Sequence, residues 1–250
     1  MKRFNLIMKA GAVVVILVAI KLLVVDRLGL DVIGSSPVIT AIVAGVIFTI
    51  AIIFSGVLTD YKESEKIPGE LAAAIKSIYR DTGALKKLDE ALYNEMRRHI
   101  LELLETLTEN FRANRWRLRE IDLKIKKVDE DINAAFEKGL IPPLIVKMRN
   151  DLAAIDRLIY RVEIIMETDF IPAAYHISII AIFSVLAILL FSKMTPAYQG
   201  AVLFGAVSFV LISLMMLIND MDNPFEYGKN SAADVDLKIL FTLKSCLEEK

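Results

Sequence analysis

The residues in this chain best suited to chemistry are carboxylates near its C-terminal end. Asp220, Asp222 and Glu226, followed by Asp234 and Asp236, lie in the stretch DMDNPFEYGKNSAADVD. Carboxylate oxygens are calcium ligands, but calcium takes about six to eight oxygens from a site that gathers them. Here the acids are scattered among neutral residues and Lys229, so calcium at Asp220, Asp222 and Glu226 ranks below a structural role. In that role Asn219 or Asp220 satisfies backbone groups at a helix end, Pro224 forbids further helix, and Phe225 anchors the turn. His99 and His176 belong to no metal-binding spacing. Packing or a hydrogen bond is the favoured reading for both, with pH sensing at the membrane as the lesser one for His176. Nucleophile elbows, Walker loops, HExxH and paired CxxC motifs do not occur. Neither an enzyme nor a cofactor is expected.

A second kind of chemistry, ion passage, needs an apolar helix with two distinct faces. The segment from Pro37 to Leu58 has them. Ala41, Gly45, Thr49, Ile53 and Gly56 make a mostly small-residue face that admits a close helix neighbour. Val43, Ile47 and Ala51, continued by Phe54 and Leu58, make an apolar stripe. That stripe faces lipid in a monomer, and in a symmetric ring it lines a hydrophobic constriction that gates by wetting and dewetting.

These residues need a membrane scaffold, and the composition supplies one. Of 250 residues 55% are hydrophobic, with a mean hydropathy of +0.51, and the apolar residues gather in blocks. Pro37 to Leu58, Phe170 to Ser192 and Met194 to Ile218 are long enough to cross about 30 Å of hydrocarbon as helices. A fourth span, Phe4 to Val25, is interrupted by Lys9 and Lys21. No small-residue cleavage site follows it, so it reads as an uncleaved span whose Lys21 snorkels or faces a protein interior. Lys2, Arg3 and Lys9 precede the first span and Lys62 and Lys66 follow the second, whereas the short opposite loops hold Arg27 and Lys193. Positive-inside counting therefore places both termini in the cytoplasm of a multi-pass cell-membrane protein. The lone cysteine, Cys246, is then a reduced cytoplasmic thiol.

The expected organisation is an N-terminal hairpin over residues 1–58, a cytoplasmic helical domain over 59–169, a second hairpin over 170–218 and a cytoplasmic tail over 219–250. In the central domain Leu88, Leu92, Met96, Ile100, Leu103 and Leu107 recur at helical spacing and predict one buried stripe. Helix breaks are expected at Thr82-Gly83, Lys138-Gly139 and Pro142-Pro143, and no strand pattern is visible. Such stripes suit helices that pack on each other or on neighbouring subunits. Arg112, Arg115, Arg117 and Arg119 surround Trp116, but Glu109, Glu120 and Asp122 dilute the cluster. With a net charge of −1 and a pI near 6.2, nucleic-acid binding is not expected. Salt bridges between subunits or a solvated face account for the arginines better.

Two short motifs carry a family resemblance. The second span runs on as GVLTDYKESEKIPGELAAAI, with Glu65, Lys66, Ile67 and Pro68 at its turn, and the last span leaves through Asn223, Pro224 and Phe225. In both, and in the order two spans, helical domain, two spans, tail, the chain resembles the bestrophin family of anion channels. It is most similar to the divergent prokaryotic bestrophin-like domain membrane proteins. The resemblance covers the whole topology, but at residue level only about Gly45 to Leu71 and Asn219 to Leu237. It implies a homopentamer in the lipid bilayer that conducts inorganic anions such as chloride, with second helices around the axis and neck positions at Val43, Ile47 and Ala51. These are smaller than the aromatic-rich neck of the family. Animal bestrophins follow Asn-Pro-Phe with consecutive acids that help clasp calcium, whereas this chain has EYGKNSAADVD. The expected fold is an all-α membrane protein with four transmembrane helices and a cytoplasmic helical domain, assembled as a symmetric oligomer. The alternative to a channel is a non-conducting scaffold or signalling protein that acts through its cytoplasmic helices.

Overall fold

The computed structural model describes residues 2–34, 36–167, 172–225 and 233–248. The chain divides into two compact units: one of Met1–Tyr61, Asp169–Pro224 and Asn230–Ala233, the other of Lys62–Thr168, Phe225–Lys229 and Asp234–Lys250.

The first unit holds four helices long and apolar enough to cross a membrane. They are α1 (Lys2–Ile20), which continues as a π-helical turn (Lys21–Val25), α2 (Pro37–Ser64), whose last residues enter the second unit, and later in the chain α7 (Pro172–Leu190) and α8 (Ala197–Asp222). Helices are required here because every backbone amide in hydrocarbon needs an internal partner. The core of the unit joins Ile50 and Val57 of α2 to Ile182, Val185 and Leu189 of α7 and Phe204, Leu211 and Ile218 of α8. Packing of α1 on α8 depends on small residues. A Cβ at Gly205 would meet Val18 at 3.2 Å, and Ala201 and Ser208 on the same stripe are buried.

Lys21 lies inside this unit, 2% exposed. Its Nζ donates to the backbone carbonyls of Leu189 (3.3 Å), Leu190 (2.9 Å) and Ser192 (2.9 Å), and Asp26 stands 3.7 Å away. A helix ends with four carbonyls that lack helical partners, and an amino group with three donors supplies what the end of α7 needs. Of the two expectations for Lys21, the protein interior is what is found. Beside it β1 (Ile33–Gly34) pairs in parallel with β2 (Ser192–Lys193). Two residues are too few for an alternating pattern, so this pairing leaves no trace in the sequence.

The second unit packs α3 (Ile67–Asp81), a 3₁₀ turn (Thr82–Lys87), α4 (Glu90–Ala113), α5 (Leu118–Glu137), α6 (Pro142–Glu167) and α9 (Lys238–Glu248). Leu92, Met96, Ile100, Leu103 and Leu107 are buried as their spacing predicts, but Leu88 is 50% exposed. The reason is local: Asp89 is the N-cap of α4, its side chain accepting from the Leu92 amide at 3.0 Å, so Leu88 precedes the helix and leaves its phase. The break at Gly139 is a left-handed helix end with φ of 87°, and Pro142 opens α6. At Gly83 the chain instead tightens into the 3₁₀ turn. Lys147 ties α6 to α3, donating to Ser77 Oγ at 2.5 Å and pairing with Asp81. The hydrogen bond to Asp81 raises the Lys147 amine above its usual range.

One buried polar pair links α4 to α5, with His99 Nδ1 2.7 Å from Asp131 Oδ2. His99 thus has the structural role favoured from its isolation. Burial pushes the Asp131 carboxyl up, more than the His99 contact pulls it down.

Two expectations follow. Lys21→Met strands three carbonyls and leaves Asp26 without its cation, so it should cost about 3 kcal/mol of stability, read as a lowered melting temperature in detergent. A group whose folded pKa is raised contributes stability below its unfolded pKa and loses that contribution as pH rises through the folded value. Asp131→Asn keeps an acceptor for His99 and removes the charge, so it should match the wild type near pH 4 and melt higher at neutral pH. Parallel melting curves across that range would contradict this.

Candidate functional site

α2 is the least covered of the four candidate spans. Its apolar residues serve a packed face as well as an open one. Ile50 and Val57 are fully buried, and Val43, Ile47, Phe54 and Leu58 pack half-buried against the same core. Of the five stripe residues Ala51 alone is exposed. The stripe therefore runs along the border between the face that packs inside the unit and the face that does not. The open side carries Ala41, Gly45, Phe48, Ile52, Ser55 and Thr59, all exposed. No atom outside the local helix comes within 4 Å of a Cβ placed at Gly45. Ala41, Gly45 and Thr49 of the small-residue face are thus exposed, whereas Ile53 packs half-buried against the core of the unit and Gly56 is half-buried. A close approach inside the unit also falls on Gly205 of α8. Glycine spacing signalled that such an approach exists without saying which helix would make it.

The helix continues to Ser64, beyond the expected span end at Leu58. Hydropathy reports where the bilayer stops, and nothing in Thr59 to Ser64 stops the helix. The turn that does is Glu65-Lys66. Glu65 pairs with Lys62 at 2.6 Å, Ile67 is 4% exposed, and Pro68 occupies the first turn of α3, where a missing N–H is harmless. This first exit motif is thus a helix stop followed by a buried hydrophobe and a helix start.

At the second exit motif α8 runs to Asp222 with Asn223 as its C-cap residue, and Pro224 is buried. Tyr175 of α7 donates to Asn219 Oδ1 at 3.1 Å, a contact invisible in either residue's neighbourhood in sequence. Phe225, 1% exposed, sits in the second unit with its ring 5.6 Å from Phe111 of α4, which in turn lies 4.8 Å from Trp116. Trp116 thus joins an aromatic cluster with Phe225. Around it Arg112 stacks over Phe241 at 4.4 Å and Arg117 pairs with Glu120 at 3.2 Å.

Of the acidic candidates, Asp220 and Asp222 sit about 200° apart on one helical turn and Glu226 lies outside the described residues; no group of three or more potential ligands gathers among the described ones. His176 is exposed, with the Tyr175 ring edge-on at 6.2 Å. Cys246 is a free, exposed thiol on α9.

No protein-family model matches the chain, and no curated protein does. Solved structures do. A bacterial bestrophin homologue from Klebsiella pneumoniae, in a single-substitution variant, superposes with a TM-score of 0.77 over 99% of this chain and 97% of its own, at 15% identity. A second structure described as a bacterial bestrophin homologue from Klebsiella pneumoniae gives 0.74 over 98% and 97%, at 16% identity. A structure described only as a membrane protein gives 0.74 over 100% and 98%, at 14% identity. At such identity the sequences have diverged while the arrangement of helices has not: this chain has the fold of the bacterial bestrophin homologues.

Proposed function

We propose that the chain is one protomer of a bestrophin-like ion channel, a homopentamer in a cell membrane with both termini in the cytoplasm. In this reading the α2 helices surround the conduction path, and the ions are inorganic anions such as chloride. The observation that carries the reading is the openness of α2. It is apolar from Pro37 to Leu58 and least covered by its own chain, in a chain whose full-length fold matches bacterial bestrophin homologues.

Val43, Ile47, Ala51, Phe54 and Leu58 line the path, and the face of Ala41, Gly45, Phe48 and Ile52 seats the next protomer. Small residues there suit close helix contact. Glu65, Ile67 and Pro68, with Asn223, Pro224 and Phe225, fix where α2 and α8 end. The candidate spans carry no basic ring. A constriction of this kind therefore selects by dehydration, and weakly hydrated anions pass most readily. Calcium is not assigned a role.

Purified protein in liposomes tests the reading. Under a chloride gradient the wild type should release anions, with thiocyanate or iodide passing at least as fast as chloride. Ala51→Phe should cut the flux about tenfold, equal to ~1.4 kcal/mol of barrier, while Ile47→Ala should raise it. Absence of flux under any gradient, or indifference to both substitutions, removes the pore.

The lining has its own check in a Cys246→Ser background. Cysteines at Ile47, Ala51 and Phe54 should react with a water-soluble thiol reagent and block conduction. Block arising at Gly45, Phe48 and Ile52 instead would keep the channel and rotate the lining onto the other face.

A further inference from the structure

Helix α6 carries a line of exposed apolar residues on one face. Val146, Tyr160 and Ile164 are 57%, 44% and 51% exposed. With exposed Ala153 they recur at intervals of seven and four, the spacing of the seam between two packed helices. The two edges of this seam carry opposite charge. On one lie Asp156, Glu163 and Glu167, joined by Asp122 of α5, and no ion pair reaches any of the four among the described residues. Burial and the nearby carboxylates hold Asp156 and Glu163 above the usual carboxylate range. On the other edge lie Arg157 and Arg161. Arg161 reaches Glu63 at 2.9 Å in an exposed pair, and Arg157 has no ion pair among the described residues.

Four carboxylates without ion pairs among the described residues on one edge of an apolar seam, with Arg157 and Arg161 on the other, describe a surface complementary to itself over Asp156 to Glu167. Nearer the start of the helix Arg149 and Lys126 share the groove of Asp122 and Asp156, and Glu70 and Asp151 share that of Arg157 and Arg161. The direction of pairing follows from the arrangement. Two such helices packed side by side in the same direction set the acidic edge of one against the basic edge of the other, whereas antiparallel packing sets acid against acid. Protomers of a membrane ring all point the same way, and a head-to-tail ring uses two different patches of each chain. A purely anionic lipid surface fits poorly, because it would be repelled by the acidic edge.

We propose that this face of α6 is a contact between neighbouring copies of this chain, with the Asp156–Glu163 edge of one copy beside Arg157 and Arg161 of the next. This rests on the oligomeric reading given above. It adds to it the residues that set the direction in which neighbouring α6 helices pack.

The test is the mass of the full-length protein in mild detergent, by mass photometry across dilution at low and high salt. Arg157→Glu with Arg161→Glu, and separately Asp156→Lys with Glu163→Lys, should each raise the dissociation constant roughly tenfold or more. Combining the two sets should restore the wild-type mass, which a merely structural role would not do. Arg157→Gln with Arg161→Gln, a milder change, serves if a reversed edge fails to fold by circular dichroism, and should weaken assembly and flatten its salt dependence. Variants that all keep the wild-type mass and salt response, or a combined variant that folds without reassembling, overturn the contact while leaving the channel intact. A wild type of single-chain mass sinks both, and one held together only by a different protein sinks this contact.

Discussion

The end of α7 lies in an apolar setting where unsatisfied carbonyls are costly, and the amino group of Lys21 is what satisfies it. One side chain, reaching from the first helix to residues near position 190, closes the C-terminal end of the third candidate span. The chain is then free to turn at once into α8. With α7 and α8 held in this way, the core around Phe204 and Leu211 has fixed walls, and α2 has a surface on which to lay Ile50 and Val57. The lysine also explains the local backbone. It opens the π-helical turn of α1, and such wide turns accommodate a side chain that the regular helix would aim elsewhere.

Two separate economies operate in the two units. In the first, neighbouring helices gain nothing from leaving water, so contact depends on fit, as where Val18 lies against Gly205. In the second, apolar stripes on charged helices are driven together by burial, and the polar contacts, such as Lys147 with Asp81 and His99 with Asp131, specify which faces meet. The second exit motif shows both economies in adjacent residues. Tyr175 and Asn219 make a hydrogen bond suited to the membrane boundary, and a few residues later Phe225 is buried among aromatic rings of α4 and its following loop.

Much of this was legible in sequence because long charge-free runs and periods of three and four residues report environment directly. The candidate spans, the buried line from Leu92 to Leu107 and the breaks at Gly139 and Pro142 are of that kind. What escaped depends on partners distant in the chain. Nothing near Lys21 names Leu190, and nothing near Tyr175 names Asn219. The stripe on α2 shows the same limit. Spacing groups Val43, Ile47 and Ala51 on one side of a helix, yet it does not say that the first two share that side with the packed core. Leu88 fails for a different reason: period alone extends a stripe through a cap that a single aspartate imposes.

The reach of Lys21 has a consequence for the order of synthesis. Its carbonyl partners lie about 170 residues downstream, so at translation rates of 5–20 residues per second they emerge on the order of ten seconds or more after it. Until then the first hairpin enters the bilayer holding an amino group whose partner in the chain is Asp26, with water and headgroups for its remaining donors. The early half of the protein therefore lacks, until the late half arrives, the carbonyls that hold Lys21 in the folded chain.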